Sequence, residues 1–372
     1  MNHSNNIDLN GKKMGGHLLV DSLRTHGVDM VFGVPGESYL AVLDGLQDAN
    51  SIKTIMCRQE GGSAMMAEAY GKLTGKPGVC LVTRGPGATN ASAGIHIAMQ
   101  DSTPLVMLVG QVGREMMDRE AFQEIDYRRM YGELTKWVAQ IEDTSRIPEY
   151  ISRAFHTATS GRPGPVVLAL PEDMLTEYAD TKIINSYQKI EAYPSPADLA
   201  QLEEMLSKSK APLVIVGGGG WDEDSCQKIQ DFAEKNHLPV GCSFRCQDYF
   251  DNRHPNYVGH IGIGLSTSLQ DRIINSDLLV VIGARLGEVT TSGYSLLDIP
   301  RPKQQLIHIH SGAEELGSVY QADLPINASP RSFAEAISRL EIAGSEKWAS
   351  NTKQGNDDYL ETLIPKTIPG NV

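Results

Sequence analysis

Short apolar runs alternate with amphipathic stretches along this chain. Positions 14–25 carry apolar residues at helical spacing, and Gly27 follows as a stop. An apolar run at 30–34 leads into Pro35-Gly36. Leu40, Leu43 and Leu46 then mark a helix that Ser38 can cap. Further strands are expected at 52–56, 78–82, 104–109, 135–141 and 166–170. Small-residue helices fall after Gly61-Gly62 and at 91–100, and another helix at 146–159; positions 114–131 read as short helices and loop. Apolar runs of about five residues alternating with helices predict βα units, with a parallel sheet covered on both faces.

Periodicity fades over 174–196, where Pro194-Ser195-Pro196 reads as a linker, and a second α/β pattern follows. It predicts helices at 199–206, 226–234 and 332–340, and strands at 212–216, 238–242, 278–282 and 306–309. A polar loop is expected through 254–264. The expected organisation is a disordered tail (1–13), a first domain (14–180), a linker (181–196), a middle domain (197–342) and a connecting segment (343–372). The fold class is α/β, with two doubly wound parallel-sheet domains.

Length changes this picture little, since 372 residues exceed one ordinary core and suit two. A net charge of −13 argues against nucleic-acid binding, which needs a basic face. The five cysteines (57, 80, 226, 242 and 246) show no zinc spacing and read as buried free thiols of a reducing, cytoplasmic protein. No signal-peptide pattern opens the chain, and no run approaches the ~20 apolar residues of a membrane span.

Candidate chemistry gathers at strand ends, where open α/β sheets bind ligands. Glycine-rich turns follow strands one, three and four. After strand two comes Cys57-Arg58-Gln59-Glu60-Gly61-Gly62, which puts a carboxylate where strand becomes helix. Taken alone, Glu60 reads as a surface or capping residue. Gly85-Pro86-Gly87-Ala88-Thr89-Asn90 forms a tight loop suited to close backbone approach, with Thr89 and Asn90 as alternative helix caps. In the middle domain, Gly217 to Gly220 and Gly283-Ala284-Arg285 could contact a dinucleotide. The GxGxxG fingerprint is not present, because Gly220 is followed by Trp221-Asp222, so a nicotinamide dehydrogenase is disfavoured. His254, His260, His308 and His310 form no metal pattern.

Eight motifs occur in order: Phe32-Gly33-Val34-Pro35-Gly36, Arg58-Gln59-Glu60-Gly61-Gly62-Ser63-Ala64, Thr74-Gly75-Lys76-Pro77-Gly78-Val79, Gly85-Pro86-Gly87-Ala88-Thr89-Asn90, Asp101-Ser102-Thr103-Pro104, Gly110-Gln111-Val112, Ala121-Phe122-Gln123-Glu124 and Gly161-Arg162-Pro163-Gly164-Pro165. Their order resembles the amino-terminal half of thiamine-diphosphate enzymes related to the large catalytic subunit of acetolactate synthase. The resemblance continues more faintly through 212–336.

That resemblance implies a pyrimidine-binding first domain and a Rossmann-like middle domain. A third domain, which would grip the diphosphate through Mg2+ and a Gly-Asp-Gly motif, has no counterpart in this sequence. It implies Glu60 and Gln123 as catalytic residues, and Val34, Pro35, Gly36, Pro86, Gly87 and Asn90 beside the cofactor. Glu60 would share a proton with the pyrimidine ring, burial raising its pKa. Gln123 would orient a carbonyl oxygen. Gly218, Gly219, Gly283 and Arg285 are the candidates for contacts to a flavin (FAD).

The activity implied is a lyase or carboligase that acts on a 2-oxo acid through a C2 carbanion and an enamine. This requires a homodimer or homotetramer, or a separate chain bringing the diphosphate domain. The alternative is a non-catalytic module of two domains that dimerises or binds a partner. Glu37, following Gly36, would either narrow the site or face solvent at the start of the next helix.

Overall fold

The computed structural model describes residues 11–180 and 184–365. Contacts divide the chain into two compact units, Met1–Ile190 and Glu191–Val372.

The first unit contains β1 (Lys13–Met14), α1 (Gly15–Thr25), β2 (Met30–Gly33), α2 (Leu40–Asp48), β3 (Lys53–Met56), α3 (Glu60–Thr74), β4 (Gly78–Val82), α4 (Gly85–Asp101), β5 (Leu105–Gln111), α5 (Tyr127–Tyr131), β6 (Trp137–Gln140), α6 (Ile147–Thr159), β7 (Pro165–Pro171), α7 (Glu172–Thr176) and β8 (Tyr178–Ala179). Six strands form one sheet in the order β3-β2-β4-β5-β7-β6, every pair parallel. Alternate side chains of each strand serve opposite faces. Val79 and Leu81 join a core with Leu19, Val42, Ile151 and Phe155 from α1, α2 and α6, whereas Cys80 and Val82 join one with Ala64, Ala67, Ala91 and Ile95 from α3 and α4. Both faces are covered, as the continuous apolar runs imply. Helices α3 and α4 lie very close, since a Cβ added at Gly94 would stand 2.5 Å from that of Ala64. That contact explains their small-residue composition.

The second unit contains α8 (Pro196–Lys208), β9 (Pro212–Val216), α9 (Glu223–Lys235), β10 (Val240–Ser243), β11 (Tyr257–Ile261), α10 (Thr267–Asn275), β12 (Leu278–Ile282), β13 (Gln305–His310), β14 (Leu324–Asn327), α11 (Pro330–Ile337) and α12 (Ala349–Thr362). Its sheet order is β11-β10-β9-β12-β13-β14, again parallel throughout.

Several expectations need correction. Residues 1–10 lie outside the described residues, but Lys13, placed in the tail, pairs with Ala179 in a two-stranded ribbon. Of the linker, 181–183 lie outside the described residues. Tyr187 docks on the first unit, its N–H donating to His26 Nδ1 at 3.0 Å and its ring against Phe155. At the far end, Ser195 opens α8 with a capping box to Asp198. The loop through 254–264 contains strand β11.

The largest correction concerns 343–372, expected as a connection. Trp348 is fully buried, and its indole N–H donates to the Ser209 carbonyl at 3.1 Å. Helix α12 then packs on the second unit, Tyr359 meeting Tyr257 edge-on at 4.8 Å and Asn356 donating to the Tyr257 carbonyl at 2.8 Å. A mostly polar sequence hid this element, since it docks through few apolar side chains. Residues 366–372 lie outside the described residues. All five cysteines are free, and Cys57 and Cys226 are only half-buried, against the expectation of buried thiols.

Candidate active site

Chain order reverses across the first sheet between β2 and β4, which leaves a crevice at the carboxyl ends of those strands. The turns bordering it are Val34-Pro35-Gly36 after β2 and Thr83-Arg84 after β4. Gly36 is required there: a Cβ would stand 2.4 Å from the Thr83 Cβ. Ser38 does not cap a helix; its hydroxyl lies 2.9 Å from that of Thr83. Gly110, at the end of β5, accommodates Ser38 in turn, with an added Cβ falling 1.9 Å from its Oγ. The Tyr39 hydroxyl donates to the Val34 carbonyl. Glu37 is exposed at the start of a short 3-10 helix.

Glu60 is the first residue of α3, behind the N-cap Gln59, whose side chain accepts from the Gly62 N–H at 2.8 Å. The expected loop 85–90 is instead the first turns of α4, with Pro86 in its first turn, where a missing N–H costs nothing. Thr89 and Asn90 therefore do not cap. Thr89 Oγ1 donates back to the Gly85 carbonyl at 2.8 Å, and Asn90 Nδ2 donates to Glu60 Oε2 at 2.9 Å. Glu60 Oε1 lies beside Gly87, 3.5 Å from where a Cβ would be. Two helix N-termini thus meet at one carboxylate, an arrangement that favours negative charge.

The Cys80 thiol and the Tyr39 hydroxyl both feel that carboxylate. Burial first, and then the neighbouring Cys57 and Glu60 charges, hold the Cys80 thiol up at about 12, although the Ser63 hydroxyl lowers it. Burial likewise raises Tyr39, with Cys80 and Glu60 adding to the effect.

Gln123 lies on the other side of the α4 N-terminus. Its backbone is left-handed, at φ 65°, and its carbonyl accepts from the Gly85 N–H at 3.0 Å. The Glu124 carboxylate accepts from the N–H groups of Asp118 and Ala121, which makes the loop self-bracing.

Arg84 escaped the sequence reading. Its guanidinium pairs with Glu172 at 2.5 Å and donates to the Phe122 carbonyl at 3.2 Å. Its Nε is buried without a partner among the described residues. Arg84 thus ties the Gln123 loop to the start of α7. Its place immediately before the glycine motif was the only available signal.

The structure therefore gathers Glu60, Gly87 and Asn90 in direct contact, joins the Gln123 backbone to the same helix end, and sets Gly36 against Thr83. Pro35 and Pro86 are exposed at the rim.

The second sheet reverses between β9 and β12, where the flavin candidates lie. There Gly218 (φ 72°) and Gly283 (φ 73°) face each other's loops: a Cβ on Gly218 would stand 1.9 Å from the Gly283 carbonyl oxygen, and one on Gly283 2.5 Å from that of Gly217. Trp221 donates to the Gly217 carbonyl at 2.8 Å. Arg285 pairs with Glu315 at 3.1 Å. Gly219 lies between these contacts in the same turn. His308 and His310 are both buried with rings 6.2 Å apart, and His254 and His260 lie elsewhere in this unit. Among the described residues no group of three or more His, Cys, Asp or Glu could hold a metal ion. Nor is any described helix long and apolar enough to cross a membrane.

Residues 13–130 match the thiamine pyrophosphate enzyme N-terminal TPP binding domain, and residues 199–337 match the thiamine pyrophosphate enzyme central domain. The chain is 32% identical over 355 residues to the acetolactate synthase large subunit of Corynebacterium glutamicum, covering 94% of this chain and 56% of that protein. It is 31% identical over 370 residues to an acetolactate synthase of Arthrospira platensis (95% of this chain, 63% of that protein). It is 30% identical over 345 residues to the acetolactate synthase isozyme 2 large subunit of Escherichia coli (93% and 62%). The chain spans about three-fifths of the length of these curated relatives. With both domains matched in order, it belongs to the thiamine pyrophosphate enzyme family.

Proposed function

We propose that this chain provides the pyrimidine side of a thiamine-diphosphate site in a lyase or carboligase that acts on a 2-oxo acid. The observation that carries the reading is the Glu60 carboxylate at the meeting point of α3 and α4, with one oxygen held by Asn90 at 2.9 Å and the other beside Gly87. The residues fit the pyrimidine half of the cofactor in their chemistry, because one oxygen of Glu60 is held by Asn90 and the other is left to accept or share a proton. Bound thiamine diphosphate supplies a nucleophilic carbon able to add to a keto group, once a carboxyl hydrogen-bonds its pyrimidine nitrogen.

The chain's own residues divide the remaining tasks. Glu60 Oε1 holds or receives the shared proton. Val34, Pro35 and Gly36 border the ring from β2, and Pro86 and Gly87 from α4. Gln123, whose carbonyl is held by the Gly85 N–H and whose neighbour Phe122 is held by Arg84, offers a neutral amide to a carbonyl oxygen.

The residues named for flavin fit less well. Gly218 and Gly283 accommodate each other's backbones, and Arg285 is engaged by Glu315. Mg2+ belongs with the diphosphate, whose ligands are not among the candidates described above. A second copy of the chain is part of this reading. Its support is the outward row on α3, where Met65, Met66 and Leu73 are exposed beside α4.

Glu60→Gln is the test. With pyruvate as probe, turnover of the complete protein should drop by about 10²–10⁴-fold, the usual worth of a positioned acid–base group, while the melting curve is kept. Turnover unaffected by that change would sink the assignment.

A further inference from the structure

Glu60 has two carboxylate oxygens, and only one can face the pyrimidine. We propose that Asn90 is the positioning residue that decides which one. This rests on the functional reading above and deepens it, since it identifies what aims the proton partner.

The argument begins with packing. Helices α3 and α4 approach closely at their first turns because the residues there are small. A Cβ on Gly61 would stand 3.0 Å from the Asn90 carbonyl oxygen, and one on Gly94 2.5 Å from the Ala64 Cβ. This approach brings the Asn90 side chain alongside Glu60, 30 positions earlier. An ionised carboxylate only accepts, so the contact must use the amide nitrogen. That fixes the Asn90 orientation, with Nδ2 donating to Oε2 at 2.9 Å. Such charge-assisted bonds are stronger than neutral ones and direct the group they hold.

The opposite oxygen meets different neighbours. Oε1 lies towards Gly87, where an added Cβ would be in ordinary contact at 3.5 Å. A glutamate at a helix start has three side-chain torsions and many accessible rotamers. Without Asn90, little on the Oε2 side keeps the carboxylate aimed across Gly87. Asn90 itself is exposed, and its side chain has no other described bond, so its removal should leave the fold intact.

The test uses the chain with 13C-carboxyl-labelled glutamate, without cofactor, comparing wild type with Asn90→Ala and Asn90→Asp. In Asn90→Ala the Glu60 carboxyl resonance should move and broaden, and a crystal structure should show the side chain turned from Gly87, with the melting temperature kept. Asn90→Asp sets two carboxyls together that cannot both ionise easily, so they should share one proton. The Glu60 signal should then return towards its wild-type position at intermediate pH, where the pair holds one proton, and depart at high pH, where both ionise.

In the complete protein, hydrogen–deuterium exchange at C2 of added thiamine diphosphate should slow by about tenfold in Asn90→Ala, as expected for losing one bond to a charged group. Asn90→Ser, which is shorter but still a donor, should recover part of it. A Glu60 signal and position unchanged in Asn90→Ala would overturn the positioning role. Exchange unaffected by Glu60→Gln would instead overturn the functional reading, so the two failures are separable.

Discussion

Each unit places glycine turns on both sides of the point where its strand order reverses, yet the two crevices are filled differently. In the first unit, Gly36 makes room for Thr83, Gly110 for Ser38, and Gly87 borders the free oxygen of Glu60. The space that side chains give up is taken by hydroxyls and a carboxylate. In the second unit, Gly217 makes room for the Ser243 hydroxyl, but Gly218 and Gly283 are pressed into each other's loops, with backbone meeting backbone. A glycine turn at a strand end is therefore not itself a ligand site. What occupies the missing Cβ position separates a crevice that presents chemistry from one that closes a sheet.

The sharpest way to break this comparison is Gly218→Ala. The methyl would fall 1.9 Å from the Gly283 carbonyl oxygen, and the backbone there is left-handed at φ 72°. Backbone cannot swing aside as a side-chain tip can. Strain and overpacking together should cost roughly 3–5 kcal/mol, and urea melts should show the second unit unfolding early. A melt identical to wild type would mean that the turn is open and available to a ligand after all.

Next in size is a pH effect on the same unit. His308 is buried on β13, its Nε2 hydrogen donating to the Ala284 carbonyl at 3.0 Å and its Nδ1 without a partner. Burial chiefly, and then His310, holds its pKa down at about 4 against bonds that raise it. The folded value lies below the ~6.5 of an unfolded histidine, so acid protonates the unfolded chain first. This contribution is complete above about pH 6.5 and is lost as pH falls towards 4, amounting to roughly 3 kcal/mol. In His308→Gln the acid limb of stability against pH should flatten over that window. An unaltered limb would assign it to other groups.

How much could be read beforehand follows from the same physics. Strands β4, β5 and β12 are buried on both faces and read as unbroken apolar runs. Strand β14 alternates Leu324 and Ile326 with Pro325 and Asn327, and proline is tolerated because this is an edge. That short pattern, like Gly259 and His260 within β11, looks like loop. Helix α12 buries only Thr352 and Gly355 of its own residues and follows a single buried Trp348, so periodicity could not reveal it. Within the site, Glu60 taken alone reads as a surface or capping residue, and only its place in the ordered motifs singles it out. Its bond to Asn90 joins residues on separate helices, which no spacing rule encodes. Arg84 carried no signal beyond its place before the glycine motif, because its partners Phe122 and Glu172 meet it only through the fold.

That arginine offers a middle-sized test on the first unit. Arg84→Ala removes a half-buried ion pair to Glu172 and the bond to the Phe122 carbonyl. Stability should fall by about 1–2 kcal/mol. Turnover should fall further than stability alone explains, because the Gln123 loop loses its tie to α7. Arg84→Lys keeps one bond at a time and should recover only part. If alanine lowers stability while turnover per folded molecule is unchanged, the loop does not depend on this clamp.

The smallest structural effect should come from Gly87→Ala, and it is the most discriminating partner to Gly218→Ala. Gly87 lies within α4 with an ordinary helical backbone, so alanine adds no backbone strain. The methyl would stand 3.2 Å from Thr83 Cγ2, which must give by a few tenths of an ångström, and 3.5 Å from Glu60 Oε1. Alanine also favours a helix over glycine by up to about 1 kcal/mol, which offsets that crowding. Net stability should change by less than about 1 kcal/mol in either direction. The methyl would nevertheless occupy the approach to the free oxygen, so affinity for thiamine diphosphate should weaken in the complete protein while the melt stays level. The same glycine-to-alanine change would then unfold one unit and only blunt the other. If instead Gly87→Ala unfolds the first unit, its crevice is closed by packing as the second one is, and the distinction between them fails.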